Sequence, residues 1–271
     1  MRVDGRIVHL TTSGKATIVG DLHGDLENLA YILKDSNFLE EIRRRRKVFL
    51  IFLGDYGDRG PASPEVYYIV LRLKELFPYS VILMRGNHEG PDDLQPFPHD
   101  LPVQLTRKYG ENAGAKIYAE LRTLFSCFCS AVLVDEKFVL IHGGVPSKAS
   151  SLKDLAYADK KHPEESDLEE MLWSDPEEGL EGVQPSPRGA GKLFGADVTE
   201  RLLKLLNVKI LIRGHESCQV GFKINHNGKI LTIFSTNRPP YNNEYAAYLQ
   251  LDLSKKIDNA EQLGQYIIQF R

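Results

Sequence analysis

Six side chains that can bind metal ions follow strand-like segments of this sequence. They comprise two carboxylates, three imidazoles and one amide: Asp21, His23, Asp55, Asn87, His142 and His215. Two metal ions need more ligands than isolated residues supply, and one carboxylate in a central position can bridge both ions. Asp55 is the expected bridge, so the sequence predicts a dinuclear metal site. Mixed oxygen and nitrogen ligands suit Mn, Fe or Zn, and we expect Mn.

Each member of this set also has a simpler interpretation. A turn such as Gly54-Asp55 is often only a turn, in which the Asp side chain bonds its own backbone. Asp21 and His23 alone fit a capping aspartate next to an incidental histidine. Asn87 alone fits an ordinary turn. Polar clusters that recur at the ends of several strands favour one shared site over separate turns.

The predicted strand before Asp55 organises the first half of the chain. Residues 48–53 form an unbroken apolar run, which is typical of a strand buried on both faces of a sheet. Gly54 then lets the chain turn tightly. Asp55, Asp58 and Arg59 follow at the carboxyl edge of the strand, where open α/β sheets place their sites.

Helices are predicted after the first two strands, so both units are expected to be strand, loop and helix. Asp25 is a candidate N-cap for a helix whose apolar residues recur at helical spacing over 26–33. Ser63 and Pro64 are expected at the N-cap and first position of the second helix. The other predicted elements are strands at 16–20, 80–84, 131–134, 138–141, 209–212, 245–253 and 265–270, a hairpin over 222–234, and helices at 113–125 and 197–206.

Two segments are predicted to be long and irregular. Residues 90–102 are rich in proline and aspartate, and we expect a surface loop that forms one wall of a substrate groove. Residues 150–187 are acidic and contain Trp173, which is expected to anchor this segment to the core. Because repeats, low-complexity tracts and linkers are absent from the sequence, we expect a single α/β domain with α+β character over residues 1–271.

Composition excludes several function classes. The chain has 34 basic and 37 acidic residues and a net charge of -3, which gives no general attraction to nucleic acid. The short run of arginines at 43–46 fits either a solvated helix end or a basic patch. Three cysteines make no disulfide framework and are expected to be buried free thiols. No apolar run approaches the ~20 residues of a membrane span, so we expect a soluble cytoplasmic protein without a membrane partner.

Five motifs, in order, resemble the signature of the phosphoprotein phosphatase family of metal-dependent serine/threonine phosphatases. They are GDLHG at 20–24, GDYGDRG at 54–60, RGNHE at 85–89, HGG at 142–144 and RGH at 213–215. LWSDP at 172–176 and RGAGKLFG at 188–195 resemble further stretches of that family. The resemblance implies a metallophosphoesterase fold, in which helices flank a β-sandwich of two mixed sheets and a dinuclear centre lies at the strand ends. The compact chain is similar to archaeal or bacterial members.

The resemblance also implies roles for individual residues. The two metal ions would be held by these ligands: Asp21, His23 and Asp55 for the first, and Asp55, Asn87, His142 and His215 for the second. His88 would be the general acid, oriented by Asp58. Arg59 and Arg188 would hold the phosphate oxygens, and the expected substrate contacts also include Asn87 and Tyr241.

The implied reaction is hydrolysis of phosphoserine and phosphothreonine monoesters. A hydroxide that bridges the two ions would attack the phosphorus in line. The cations and arginines would stabilise charge on the phosphate oxygens. His88 would protonate the departing oxygen, which is a poor leaving group without that proton. The expected partners are therefore phosphorylated proteins or peptides, and the sequence identifies no regulatory partner.

Two segments depart from the family pattern, and two other functions stay open. Residues 235–241 read STNRPPY where many relatives have Ser-Ala-Pro-Asn-Tyr-Cys, and residues 90–102 lack the usual helix-forming sequence. Groove shape and specificity therefore do not transfer from the family. A dinucleoside polyphosphate or phosphodiester hydrolase of the same superfamily is the main alternative, because one fold hosts several chemistries. An inactive binding module is the other, although every expected ligand is present.

Overall fold

Two mixed β-sheets pack face to face at the centre of the molecule, in a computed structural model that describes residues 1–271. The strands are, in chain order, β1 (Arg2–Asp4), β2 (Ile7–Leu10), β3 (Lys15–Val19), β4 (Val48–Phe52), β5 (Val81–Leu83), β6 (Ala131–Val134), β7 (Phe138–Ile141), β8 (Asp175–Pro176), β9 (Val183–Pro185), β10 (Lys192–Phe194), β11 (Ile210–Arg213), β12 (Phe222–Asn225), β13 (Ile230–Ile233), β14 (Ala246–Asp252) and β15 (Ile267–Phe270).

The strand order brings the ends of several parallel strands to one edge. One sheet has seven strands in the order β1-β2-β6-β7-β11-β13-β12, and the other has five in the order β15-β14-β3-β4-β5. Strands β3, β4 and β5 are parallel, as are β7, β11 and β13. A small third sheet has the order β8-β10-β9. The two large mixed sheets confirm the fold expected from the resemblance.

Nine α-helices accompany these strands. They are α1 (Leu26–Asp35), α2 (Phe38–Arg43), α3 (Ser63–Leu76), α4 (Leu101–Tyr109), α5 (Glu111–Phe125), α6 (Leu152–Ala156), α7 (Ala158–Lys161), α8 (Asp167–Trp173) and α9 (Ala196–Leu206). Short 3-10 helices lie at Asp92–Leu94 and Ala260–Tyr266. None of the helices combines the length and the apolar character that crossing a membrane requires.

The core has three apolar layers, and strand β4 contributes to two of them. Phe49 and Ile51 face the layer between the two large sheets. Val48, Leu50 and Phe52 face the layer between the five-stranded sheet and helices α1, α3 and α5. A third layer lies between the seven-stranded sheet and helices α6, α8 and α9. Strand β4 is therefore buried on both faces, as its unbroken apolar run predicts.

The first helix begins as predicted, whereas the second begins one residue earlier than predicted. The Asp25 side chain accepts a hydrogen bond from the backbone N–H of Asn28 at 2.9 Å and caps α1. Helix α3 has Ala62 at its N-cap, and Ser63 is its first helical residue. The Ser63 hydroxyl instead accepts from the backbone N–H of Asp58 at 3.0 Å. This serine therefore supports the loop after β4.

Several elements arise where the sequence predicts loops. Helix α4 begins at Leu101, inside the predicted 90–102 loop, because Leu101 and Leu105 are buried in the layer under the five-stranded sheet. Helices α6, α7 and α8 occupy the predicted irregular segment 150–187. These short elements depend on burial against the rest of the molecule and have little periodicity of their own.

Two sequence expectations concern surface residues. Arg43 and Arg46 lie at the exposed end of α2, where they pair with Glu40 and Glu41 at 2.9 Å each. This arrangement fits the solvated helix end. Two of the three cysteines are buried free thiols as expected, but Cys127 is exposed because it lies in the turn that follows α5.

Buried Glu89 joins the loops after β4 and β5. Its carboxylate accepts hydrogen bonds from the backbone N–H groups of Asp55 (2.9 Å), Tyr56 (3.1 Å) and Gly86 (3.0 Å). The hydroxyl of Tyr67 on α3 donates to it at 2.5 Å. One side chain therefore satisfies four buried donors and fixes the two loops relative to each other.

We expect Glu89→Ala to lower the free energy of unfolding by about 3 kcal/mol, because it leaves these buried donors without an acceptor. Urea unfolding followed by circular dichroism measures this loss. Glu120→Ala, on the exposed surface of α5, is the matched control and should change stability by less than about 0.5 kcal/mol. Equal stability of the two variants would show that Glu89 does not hold the loops.

Candidate metal centre and active site

The six predicted ligands lie together at the shared edge of the two sheets. All six are buried, and they follow these strands: Asp21 and His23 after β3, Asp55 after β4, Asn87 after β5, His142 after β7, and His215 after β11. The parallel arrangement of the strands produces this meeting, because parallel strands end at the same edge. The structure thus brings together the whole set predicted from the sequence.

The carboxylate of Asp55 lies between two groups of these ligands. Its Oδ2 is 3.6 Å from Nε2 of His23, and that same nitrogen is 3.6 Å from Oδ2 of Asp21. Its Oδ1 is 3.5 Å from Nε2 of His142. Each oxygen of Asp55 therefore faces a different group, which is the geometry that a bridging carboxylate requires.

Backbone carbonyls fix the orientation of two imidazoles. Nδ1 of His23 donates to the carbonyl of Gly57 at 3.0 Å, and Nδ1 of His142 donates to the carbonyl of Leu53 at 3.0 Å. Because a carbonyl only accepts, Nδ1 carries the hydrogen in both rings. The lone pair of each Nε2 is then directed toward Asp55. This is the usual way in which metal-binding histidines are held.

Lone pairs converge at the side-chain amide of Asn87. Its Oδ1 lies 3.0 Å from both Nε2 of His142 and Nδ1 of His215. With the amide turned over, its nitrogen would lie 3.0 Å from these two nitrogens and 3.0 and 3.3 Å from the oxygens of Asp55. An NH2 group has two hydrogens and cannot satisfy four acceptors. The buried Oδ2 of Asp21 also has no hydrogen-bond partner in the protein. A cation satisfies such converging lone pairs, so these residues fit a dinuclear metal site.

Burial controls the charge of these ligands. It raises the pKa of Asp55 well above its ordinary value, and the charge of Asp21 adds to the effect. Burial also lowers the pKa values of His142 and His215, which favours neutral rings with a free lone pair. Cations between the two carboxylates would remove the repulsion that raises the pKa of Asp55.

His88 and Asp58 form a buried pair beside these ligands. Nδ1 of His88 donates to Oδ2 of Asp58 at 2.6 Å, as the sequence predicts. Nε2 of His88 has no hydrogen-bond partner and lies 4.0 Å from Oδ2 of Asp55. Burial lowers the pKa of His88 to about 3, although the hydrogen bond with Asp58 opposes this effect. The free nitrogen of His88 therefore faces the metal ligands.

A groove of about 560 Å³ contains the two predicted arginines. Arg59 and Arg188 line it together with residues 93–97 of the segment predicted to form a groove wall. Nε of Arg188 donates to Oδ2 of Asp175 at 2.5 Å, which holds the half-buried guanidinium in place. The guanidinium group of Arg59 donates to the hydroxyl of Tyr241.

Tyr241 connects this groove to the metal ligands. Its ring stacks on the ring of His23 with centroids 5.3 Å apart, and the guanidinium carbon of Arg59 lies 5.8 Å from the centre of the Tyr241 ring. Burial raises the pKa of Tyr241, so its hydroxyl stays neutral. The structure therefore places Tyr241 where the sequence predicts a substrate contact.

Backbone strain is concentrated at the same place. Five of the eleven non-glycine residues with positive φ belong to the predicted site: His23, Asp55, Asp58, Arg59 and His215. Gly54 has a φ of +114°, and a Cβ there would lie 2.4 Å from the backbone nitrogen of Gly86. Such strain persists only where surrounding contacts determine the conformation, and it is common at functional sites.

Sequence reasoning missed two residues that support the site. Asp175 accepts from Arg188 and also from Arg213 at 2.8 Å, and its only sequence signal is its place in the LWSDP motif. His99 donates through Nδ1 to Oδ2 of Asp58 at 2.7 Å. No local pattern identifies His99, because it lies in a segment of irregular backbone.

Comparison with known proteins agrees with this geometry. The model of the calcineurin-like phosphoesterases matches residues 14–219, which include all six predicted metal ligands. The chain belongs to this family. A calcineurin-like phosphoesterase acts on phosphoesters, so the chain is a hydrolase by family membership.

Two sequence relatives and one solved structure refine the comparison. The chain is 36% identical over 256 residues to a protein of Encephalitozoon cuniculi described as a probable serine/threonine-protein phosphatase, covering 92% of this chain and 52% of the relative. It is 34% identical over 227 residues to a protein phosphatase 2A catalytic chain of Dictyostelium discoideum, covering 81% of this chain and 67% of that one. A serine/threonine phosphatase structure from Saccharomyces cerevisiae superposes with a TM-score of 0.77 at 26% identity, covering 98% and 83% of the two chains. This phosphoesterase thus spans about half the length of the first relative.

We expect Asp55→Asn to lose both metal ions, because a neutral amide cannot bridge two dications. Metal content of the purified variant, measured by mass spectrometry, tests this expectation. Asp58→Asn is the matched control and should retain both ions, since the Asp58 carboxylate bonds His88 and His99 and is not among the six ligands. An Asp55→Asn protein that kept two ions would exclude Asp55 as the bridge.

Proposed function

We propose that this protein is a serine/threonine protein phosphatase that hydrolyses phosphoserine and phosphothreonine monoesters in proteins or peptides. The main support is the position of His88, whose free Nε2 faces Asp55 while Asp58 holds its other nitrogen. A proton donor next to a predicted dinuclear centre is suited to a substrate with a basic leaving oxygen. The names of the two sequence relatives favour the same substrate class.

The predicted ligands would hold two divalent ions. Asp21, His23 and Asp55 would bind one, and Asp55 with Asn87, His142 and His215 would bind the other. When bound, such ions supply an acidified water as nucleophile and positive charge for the phosphate oxygens. The oxygen and nitrogen donor set suits Mn first, with Fe or Zn as alternatives.

His88 would donate its Nε2 proton to the seryl or threonyl oxygen as that oxygen leaves. Burial disfavours the imidazolium form of His88, but the anionic carboxylate of Asp58 favours it. The negative charge of a bound phosphate would favour it further, since an opposite charge nearby stabilises the protonated ring. Asp58 also keeps Nδ1 protonated, so that Nε2 is the atom that faces the substrate.

Arg59 and Arg188 would bind the phosphate oxygens from the groove side. Both guanidinium groups are already held by neighbours, Tyr241 for Arg59 and Asp175 for Arg188, so little side-chain entropy is lost on binding. Asn87 and Tyr241 are the further proposed substrate contacts. Residues 1–271 would act as one catalytic domain in the cytoplasm, a reducing compartment that suits three free thiols.

A substrate panel tests the proposed function. With Mn supplied, the protein is expected to hydrolyse phosphoserine and phosphothreonine peptides with a kcat/KM about 100-fold higher than for diadenosine tetraphosphate or bis-p-nitrophenyl phosphate. The Asp55→Asn protein, purified in parallel, controls for contaminating phosphatases. A preference for the polyphosphate or the diester would favour the alternative hydrolase instead.

A second experiment tests the role of His88. A seryl alkoxide needs a proton to leave, whereas p-nitrophenolate leaves acceptably without one. We expect His88→Ala to slow a phosphoserine peptide at least ~10-fold more than p-nitrophenyl phosphate, with both metals still bound. Equal slowing of the two substrates, or loss of metal, would mean that His88 only supports the structure.

A further inference from the structure

The carboxylate of Asp58 has all of its acceptor positions filled. Oδ2 accepts from Nδ1 of His88 at 2.6 Å and from Nδ1 of His99 at 2.7 Å. Oδ1 accepts from the backbone N–H groups of Asp100 at 2.9 Å and Leu101 at 2.8 Å, at the start of helix α4. Because each carboxylate oxygen has two lone pairs, these four donors fix both its position and its rotation.

His99 is in turn oriented by the segment around it. Its Nε2 lies 2.7 Å from the hydroxyl of Tyr118 on helix α5, and Nε2 of Gln95 donates to that hydroxyl at 2.9 Å. The side chain of His99 is only 11% exposed. The contacts form one consistent chain, in which Gln95 donates to Tyr118, Tyr118 to His99, and His99 to Asp58.

Without the N–H of His99, Oδ2 of Asp58 would keep only one donor. The carboxylate could then rotate about its side-chain bond, and the ring of His88 would follow it. Burial favours the neutral acid at Asp58, but hydrogen bonds from His88 and His99 outweigh it and hold the pKa of Asp58 below its ordinary value. His99 therefore acts on both the position and the charge of the group that orients His88.

We propose that His99 is a positioning residue for proton donation, acting through Asp58 on His88. The proposal rests on the general-acid role proposed above for His88. His99 is not among the predicted metal ligands, and its effect is transmitted by the carboxylate oxygen that it shares with His88. An outer partner of this kind typically changes the function of the group it orients about 10-fold to 100-fold.

Three variants separate the contacts of His99. His99→Phe keeps an aromatic ring and removes both nitrogens. His99→Asn retains an N–H close to the position of Nδ1 and loses the contact with Tyr118. Tyr118→Phe removes only the hydroxyl that faces Nε2. All three should retain two metal ions, because no ligand is altered.

The first readout is the dependence of rate on the leaving group, measured with phenyl phosphate and p-nitrophenyl phosphate. His99→Phe should lower kcat about tenfold for phenyl phosphate and less than about twofold for p-nitrophenyl phosphate, with KM unchanged. His99→Asn should return the phenyl phosphate rate to within about threefold of the native rate. Tyr118→Phe should give an intermediate ratio, about threefold, and it provides the comparison if His99→Phe does not fold.

The second readout is the imidazole N–H signal of His88 in protein labelled with 15N-histidine, assigned by its loss in His88→Ala. His99→Phe should shift this signal, because the oxygen that accepts it loses its second donor, and His99→Asn should largely restore it. This measurement needs no turnover. If the native protein hydrolysed neither ester, the proposed function would fall while the spectrum still tested the contact.

Two results would overturn the proposal. One is an equal rate loss for both esters in His99→Phe without rescue by His99→Asn, which is the behaviour of a residue that only stabilises the fold. The other is a His88 signal that does not move when His99 is replaced. Either result would show that the Asp58 carboxylate is fixed without His99.

Discussion

The burial of the Asp55 carboxylate is the constraint on which the rest of this structure depends. A carboxylate that is 2% exposed and next to Asp21 is costly to ionise, and burial with that neighbouring charge raises its pKa well above the ordinary value. The surrounding protein responds with backbone donors that fix the side chain and with imidazoles whose lone pairs face it. Cations are the groups that complete such an arrangement. The strained backbone of the loops is maintained because Glu89 and the strand ends determine their positions.

The metal ligands were predictable from the sequence because local structure is sufficient to bring them together. Each follows a short apolar strand, and parallel strands end at one edge, so the strand pattern alone implies that Asp21, Asp55 and Asn87 meet. The pairing of His88 with Asp58 came from the family resemblance, and the 2.6 Å contact agrees with it. What the sequence did not predict is the hydrogen-bonded support of these residues, which joins positions far apart in the chain.

The elements that were missed depend on tertiary contacts. Helix α4 starts within a segment rich in proline and aspartate, and its first residue is held by burial of its side chain and by the bond from its N–H to Asp58. Ser63 has the chemistry of an N-cap, yet its hydroxyl bonds the loop after β4. In both places a local preference was overridden by a contact with a residue that the local pattern does not include. His99 is the extreme case, since its neighbours in sequence carry no signal of its bond to Asp58.

The segment before α4 links recognition to catalysis. Residues 93–97 line the groove, and two residues later His99 contacts the carboxylate that orients His88. A change in this segment that widens the groove by about an ångström would also lengthen a 2.7 Å hydrogen bond, and misplacement on that scale is costly for a reacting group. Groove shape and proton donation are therefore not independent in this protein. The metal ligands, which are fixed by strand ends on the other side of His88, would be unaffected by the same change.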